Sequence, residues 1–184
     1  MDSQSVKTTS VGGVRGYDGG KKLPGRKRHL LVNTLGLVLR VTVHTADIQD
    51  RAAVPEVLTG VKERFARLAQ VWLDQGYTGA ARTWIEQHLG WGVEIVRHPA
   101  SERGAWRYTK GENGKLQGEY IRFAPEPTTG FKGVLPRRWV VERTFAWLGQ
   151  SRQLSKDYER LPAPGEALIY ATMSRIMLKR LARS

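Results

Sequence analysis

The stretch from His29 to Val43 constrains this chain more than any other. Two runs rich in Leu and Val are broken at Asn33-Thr34-Leu35-Gly36, which predicts a β-hairpin. Beyond the hairpin, helix and strand alternate. Arg51 to about Ala69 carries Val54, Val57, Leu58, Val61, Phe65 and Leu68 at the spacing of one helical face, with Asp47 or Asp50 as its cap. Gln70-Val71-Trp72-Leu73-Asp74 reads as a short buried strand ending on an acid, before a turn bracketed by Gly76 and Gly79. Thr83 to Leu89 predicts a helix stopped by Gly90, and Val93–Val96 another strand. Residues 100–136 are rich in Gly, Pro and charge, an irregular segment with one hairpin including Tyr120–Phe123. Two helices close the chain. The first runs from about Arg137 to Leu148, and the second comes after Pro162 and Pro164 and carries Leu168, Ile169, Ile176, Met177 and Leu181.

A hairpin succeeded by this alternation implies an α/β fold, a mixed sheet covered by helices on both faces. Such a sheet normally has a central strand before the hairpin. Residues 3–28, rich in Gly, Ser, Thr and basic side chains, read as loop, so that first strand is expected to be largely missing and residues 1–20 mobile. The 184 residues suit one domain, 1–184, with a Gly/basic loop at 1–28.

Charge narrows the partner. Thirty Lys and Arg against 17 Asp and Glu give +13. Residues 1–100 carry 14 basic and 9 acidic side chains and residues 101–184 carry 16 and 8, so the excess is spread along the chain. A polyanion is the natural partner, because neutralising phosphates releases condensed counterions. A ribosomal-type or membrane-surface protein is the alternative that charge leaves open. No apolar run is long enough to span a bilayer, and Met1–Ser5 lacks the apolar core of a signal peptide. Without cysteine there are no disulfides and no thiolate metal sites, which is compatible with the cytosol.

Few residues invite chemistry. Asp74 ends a buried strand, where ligand sites of open α/β sheets collect, but a capping aspartate looks the same in sequence. Glu142 lies in Arg138-Trp139-Val140-Val141-Glu142-Arg143-Thr144-Phe145-Ala146-Trp147-Leu148, a helix apolar on most of its circumference and so expected to be buried. A carboxylate there is either paired with Arg138 one turn earlier or bound to a metal, with the Arg kept for phosphate. Lys21, Lys22, Arg26, Lys27 and Arg28 form a basic run flanked by glycines, suited to DNA phosphates or else a solvated loop. His29, His44, His88 and His98 show no metal-ligand spacing, and no phosphate loop or nucleophile elbow occurs.

Taken in order, Asp2-Ser3-Gln4-Ser5-Val6-Lys7-Thr8-Thr9, Gly16-Tyr17-Asp18-Gly19-Gly20-Lys21-Lys22, Gly25-Arg26-Lys27-Arg28-His29, Leu35-Gly36-Leu37, Ala46-Asp47-Ile48-Gln49-Asp50-Arg51, Asp74-Gln75-Gly76-Tyr77 and the Arg138–Leu148 segment resemble the catalytic core of insertion-sequence DDE transposases of the IS-four/IS-five group. The resemblance covers nearly the whole chain. It implies a ribonuclease H-like fold and an enzyme that cuts and joins DNA. It also implies Asp2, Asp74 and Glu142 as catalytic carboxylates holding two Mg²⁺ or Mn²⁺ ions, about 3.5–4 Å apart in such sites. Arg138 matches the Arg four positions before the family's Glu. Leu135 and Gly149 replace its Tyr and Lys, and Arg152 is the nearest stand-in for the latter. Arg138 and Arg143 are expected to neutralise phosphate. DNA, a second copy of the chain and the product of an upstream reading frame are the implied partners, and the bacterial cytoplasm at the nucleoid the implied location. A truncated or second-frame product fits the start at Met1, as does an inactive DNA-binding remnant.

Overall fold

The computed structural model describes residues 1–11, 13–96, 105–110, 116–121 and 136–183. The predicted hairpin is its centre: β3 (Leu23–Val32) pairs antiparallel with β4 (Val38–Thr45), with Leu30 opposite Val41 and Arg28 opposite Val43. Asn33 makes the turn by accepting from Leu35 N and Leu37 N through its side-chain oxygen. The other edge of β3 carries β1 (Asp2–Lys7) in antiparallel register, Asp2 opposite Leu30 and Lys7 opposite Gly25. On the β4 side, β2 (Gly16–Asp18) pairs with Leu23–Gly25.

Two expectations are corrected by these strands. The first strand is present from Asp2 over six residues, and the segment read as a Gly/basic loop holds three strands. Backbone pairing along β3 supplies the order that the polar composition concealed: a strand paired along its length needs no long apolar run. Val6 is buried and Met1 is part of a core cluster.

The helix expected from Arg51 to Ala69 is two short ones, α1 (Val54–Leu58) and α2 (Val61–Arg64). Gly60 between them adopts φ +75°, a left-handed conformation that ends one helix and redirects the chain. The apolar face survives the break, because Val54, Val57, Leu58 and Val61 are all buried and Phe65 and Leu68 pack beside them. Neither Asp47 nor Asp50 caps α1, whose N-cap is Ala53 without a side-chain bond.

Strand β5 (Gln70–Leu73) is followed by a single 3₁₀ turn (Gln75–Tyr77), helix α3 (Ala80–Leu89) and strand β6 (Gly92–Ile95). β5 and β6 pair in parallel, Val71 opposite Val93, as a crossover through α3 requires. β7 (Ala105–Lys110) and β8 (Leu116–Ile121) form the hairpin expected in the irregular segment; Phe123 lies outside the described residues. Helix α4 spans Pro136–Gly149 and α5 spans Pro162–Leu181, the latter starting on the proline expected to precede it, since proline suits the first helical turn.

Helices cover both faces of the β3–β4 sheet. Leu31 joins α1, α2, α3, Val71, Leu73 and Tyr77 in one core, while Leu30, Val41 and Val43 meet Val141, Phe145 and Leu148 of α4 and Ile169 and Met173 of α5 in a second. The free edge of β4 is closed by α5, where the Tyr170 hydroxyl accepts Val41 N and Glu166 accepts Val43 N. The fold is therefore mixed α/β. In place of one continuous sheet, a four-stranded sheet and the β5–β6 pair are linked where the Met1 ammonium donates to Trp72 O at 2.7 Å.

Candidate active site

Asp2 starts β1, and Asp74 comes directly after the last residue of β5. Both line a cavity of about 520 Å³ whose wall also includes Leu31, Leu73 and, from α4, Val140 and Val141. Their charges act on the same two groups. Burial lowers the Met1 ammonium to about 6 while Asp2 and Asp74 oppose the shift. Burial raises the Tyr77 hydroxyl well above its ordinary value, assisted by Asp50, Asp2 and Asp74. Asp74 also caps the 3₁₀ turn, accepting Gly76 N at 2.9 Å, so its capping role is real and coexists with its place on the cavity.

Glu142 stands on α4 one residue beyond Val141 and is exposed, which corrects the expectation of a buried carboxylate. α4 buries only Val141, Thr144, Phe145 and Leu148 among its described side chains, a stripe rather than a full circumference. Arg138 falls within α4, and its side chain lies outside the described ones; so do Leu135 and His98. The chemistry of Asp2 and Asp74 suits a hard divalent cation, which prefers oxygen donors. Among the described residues no group of three His, Cys, Asp or Glu side chains that could hold a metal ion is found.

The basic run divides. Lys21 and Lys22 are exposed at the β2–β3 turn. Arg26, Lys27 and Arg28 are buried in β3, which corrects their assignment to DNA contact: a phosphate has no access to them. Arg26 pairs with buried Asp157 at 3.3 Å and donates to Val14 O, Glu159 O and Arg160 O. Arg28 donates to Leu154 O and Lys156 O, and burial lowers it from its ordinary value against the pull of Asp157. Lys27 donates to Ile48 O and pairs with Asp50 at 3.1 Å. Arg143 lies between two indole rings, 4.5 Å from the centre of Trp139 and 4.6 Å from Trp147, and donates to Leu35 O. That cation holds the β3–β4 turn against α4. Arg152 is exposed on a 3₁₀ turn (Arg152–Leu154).

Sequence reasoning missed a polar cluster whose Tyr77 feels the charges of Asp2 and Asp74. His29 Nδ1 and the Tyr77 hydroxyl lie 2.7 Å apart, and the His29 and His44 rings have centres 4.6 Å apart. Ser3 donates to Asp50 at 2.9 Å. The polar run Lys27-Arg28-His29 next to Leu30 was the available signal, since a strand with a run of buried polar residues has to satisfy them internally.

The Transposase DDE domain family matches residues 1–177. No curated relative and no solved structure matches the chain. The chain belongs to the DDE-domain transposases, as its motifs implied. Among the described residues no helix is long and apolar enough to cross a membrane.

Proposed function

We propose that this chain is a DNA transposase that cuts the ends of an insertion sequence and joins them to target DNA on a ribonuclease H-like scaffold. The observation that carries the reading is the meeting of Asp2 and Asp74, 72 positions apart in sequence, on one cavity that α4 also walls. Family membership supports a role in transposition and DNA as substrate.

In this reading Asp2, Asp74 and Glu142 hold Mg²⁺ or Mn²⁺. Two such ions supply an activated nucleophile and a stabilised leaving oxygen when bound. Asp2 and Asp74 hold their carboxylates at the ends of two strands, and Glu142 completes the set from α4. Arg138 neutralises phosphate beside Glu142, while Lys21, Lys22 and Arg152 hold the DNA backbone from outside. A second copy of the chain and an upstream-frame product are proposed as further partners, and the bacterial cytoplasm, at the nucleoid, as the location.

The second reading is an inactive DNA-binding remnant, favoured by the exposed Glu142 and the absence of a three-carboxylate cluster among the described residues. Cleavage of DNA carrying the element's ends, with Mg²⁺ or Mn²⁺, separates the two. The enzyme reading expects Asp74→Ala and Glu142→Ala each to lower cleavage by about 10³-fold or more with DNA affinity kept. An unaltered chain that binds such DNA but leaves it intact with either metal is the remnant.

A further inference from the structure

Asp50 has no place in the three-carboxylate scheme, yet it touches the carriers of both aspartates. Its Oδ1 accepts the Ser3 hydroxyl at 2.9 Å, on the residue after Asp2, and pairs with Lys27 Nζ at 3.1 Å. Its other oxygen faces the turn after Asp74. A Cβ placed on Gly76 would lie 2.8 Å from Asp50 Oδ2 and 3.1 Å from Asp74 Oδ1. The turn backbone therefore packs against both carboxylates so closely that a side chain at position 76 would have to displace them.

Asp50 does not cap the helix after it, whose N-cap is Ala53. The cation that holds it is itself fixed. Lys27 is buried in β3, and its Nζ also donates to Ile48 O at 2.7 Å. Lys27 and His29 are two apart in β3 and so face the same side, where one holds Asp50 and the other meets Tyr77 of the turn. β3 thus acts as a ruler. Through Asp50 it is bonded to Ser3 and stands against the Gly76 turn, and the two candidate metal-binding aspartates sit one residue from Ser3 and two from Gly76.

We propose that Asp50, clamped by Lys27, is a positioning residue that sets the spacing of Asp2 and Asp74 for metal binding. The inference rests on the reading of those aspartates given above. Groups that orient metal ligands typically cost about 10–100-fold in affinity or activity when removed.

The test is Mn²⁺ affinity of the full chain without DNA, read from the electron paramagnetic resonance of free Mn²⁺, beside the melting temperature. Asp50→Ala should weaken Mn²⁺ binding about 10–100-fold. Asp50→Asn keeps the shape and an acceptor for Ser3 but loses the charge that holds Lys27, and should weaken it in the same direction. Lys27→Met should match Asp50→Asn, and Lys27→Arg should restore binding toward the unaltered value. Should Asp50→Ala not fold, Asp50→Asn and the Lys27 pair decide. Mn²⁺ binding that Asp74→Ala abolishes, while every folded Asp50 variant stays within about twofold, overturns the proposal and leaves the aspartate reading intact. Mn²⁺ binding that is absent from the unaltered chain, or untouched by Asp74→Ala, ends that reading and this proposal with it.

Discussion

His29 shows what burial does to a single side chain. It is fully buried, and burial lowers it to about 2, with the nearby charges of His44, Lys27 and Lys21 adding to the effect. An unfolded histidine takes up a proton below its ordinary value of about 6.5, and the folded one refuses it down to about 2. The unfolded state therefore binds more protons throughout that window. Stability is fully present above about 6.5 and falls as pH drops, by about 1.4 kcal/mol per pH unit for this one site. Urea unfolding from near neutral pH into mild acid should show that slope, and His29→Gln should flatten it. A slope unchanged in His29→Gln places the acid sensitivity elsewhere. Spacing does not distinguish His29 from the exposed His88, because it reports ligand geometry and says little about depth.

At the scale of elements, the connection between α4 and α5 has almost no regular structure of its own and is held by arginines from a distant strand. Arg26 and Arg28 take up the carbonyls of Leu154, Lys156, Glu159 and Arg160, acceptors that a loop would otherwise turn to water. Arg26→Met should destabilise the chain by about 3–5 kcal/mol, because it leaves Asp157 buried and unpaired. Arg26→Met with Asp157→Leu should cost less than Arg26→Met alone, and denaturant unfolding of both variants measures the difference. If the single variant loses under about 1 kcal/mol, an exposed pair would explain it better than a buried one. These same arginines are why the start of the chain is misleading in sequence. A basic, glycine-flanked run has the composition of a solvated loop, and its buried partners lie about 130 positions away. The hairpin turn at Asn33–Gly36, the α3–Gly90 stop, and α4 are legible because local signals determine them. The break at Gly60 is not, since the apolar period continues unbroken across it.

For the whole molecule, the formal +13 overstates the charge available to a polyanion. Arg26, Lys27 and Arg28 spend theirs on internal acceptors, and Arg143 faces two indoles. Lys21 and Lys22 remain exposed. Their joint replacement by alanine should weaken binding to all DNA sequences alike and flatten the salt dependence by about one unit per lysine. Equal affinity and slope in that variant would place the phosphate contacts elsewhere on the surface. Of the candidate site, Asp2 and Asp74 are legible from the motif, and the structure sets them on one cavity. Asp50 lies within a motif but reads in sequence as a cap, because its partners Ser3 and Lys27 are remote along the chain.

Asp157 N donates to Lys7 O, and Thr9 N donates to Asp157 O, so the end of β1 is fastened to a residue 150 positions later. A ribosome adding about 5–20 residues per second needs about 8–30 s to make that residue. The β3–β4 hairpin can close early, from contacts within one stretch of chain. Arg26 and Arg28, however, emerge long before the carbonyls that will receive them. For that interval the nascent chain presents to its surroundings two guanidinium groups that the finished protein hides.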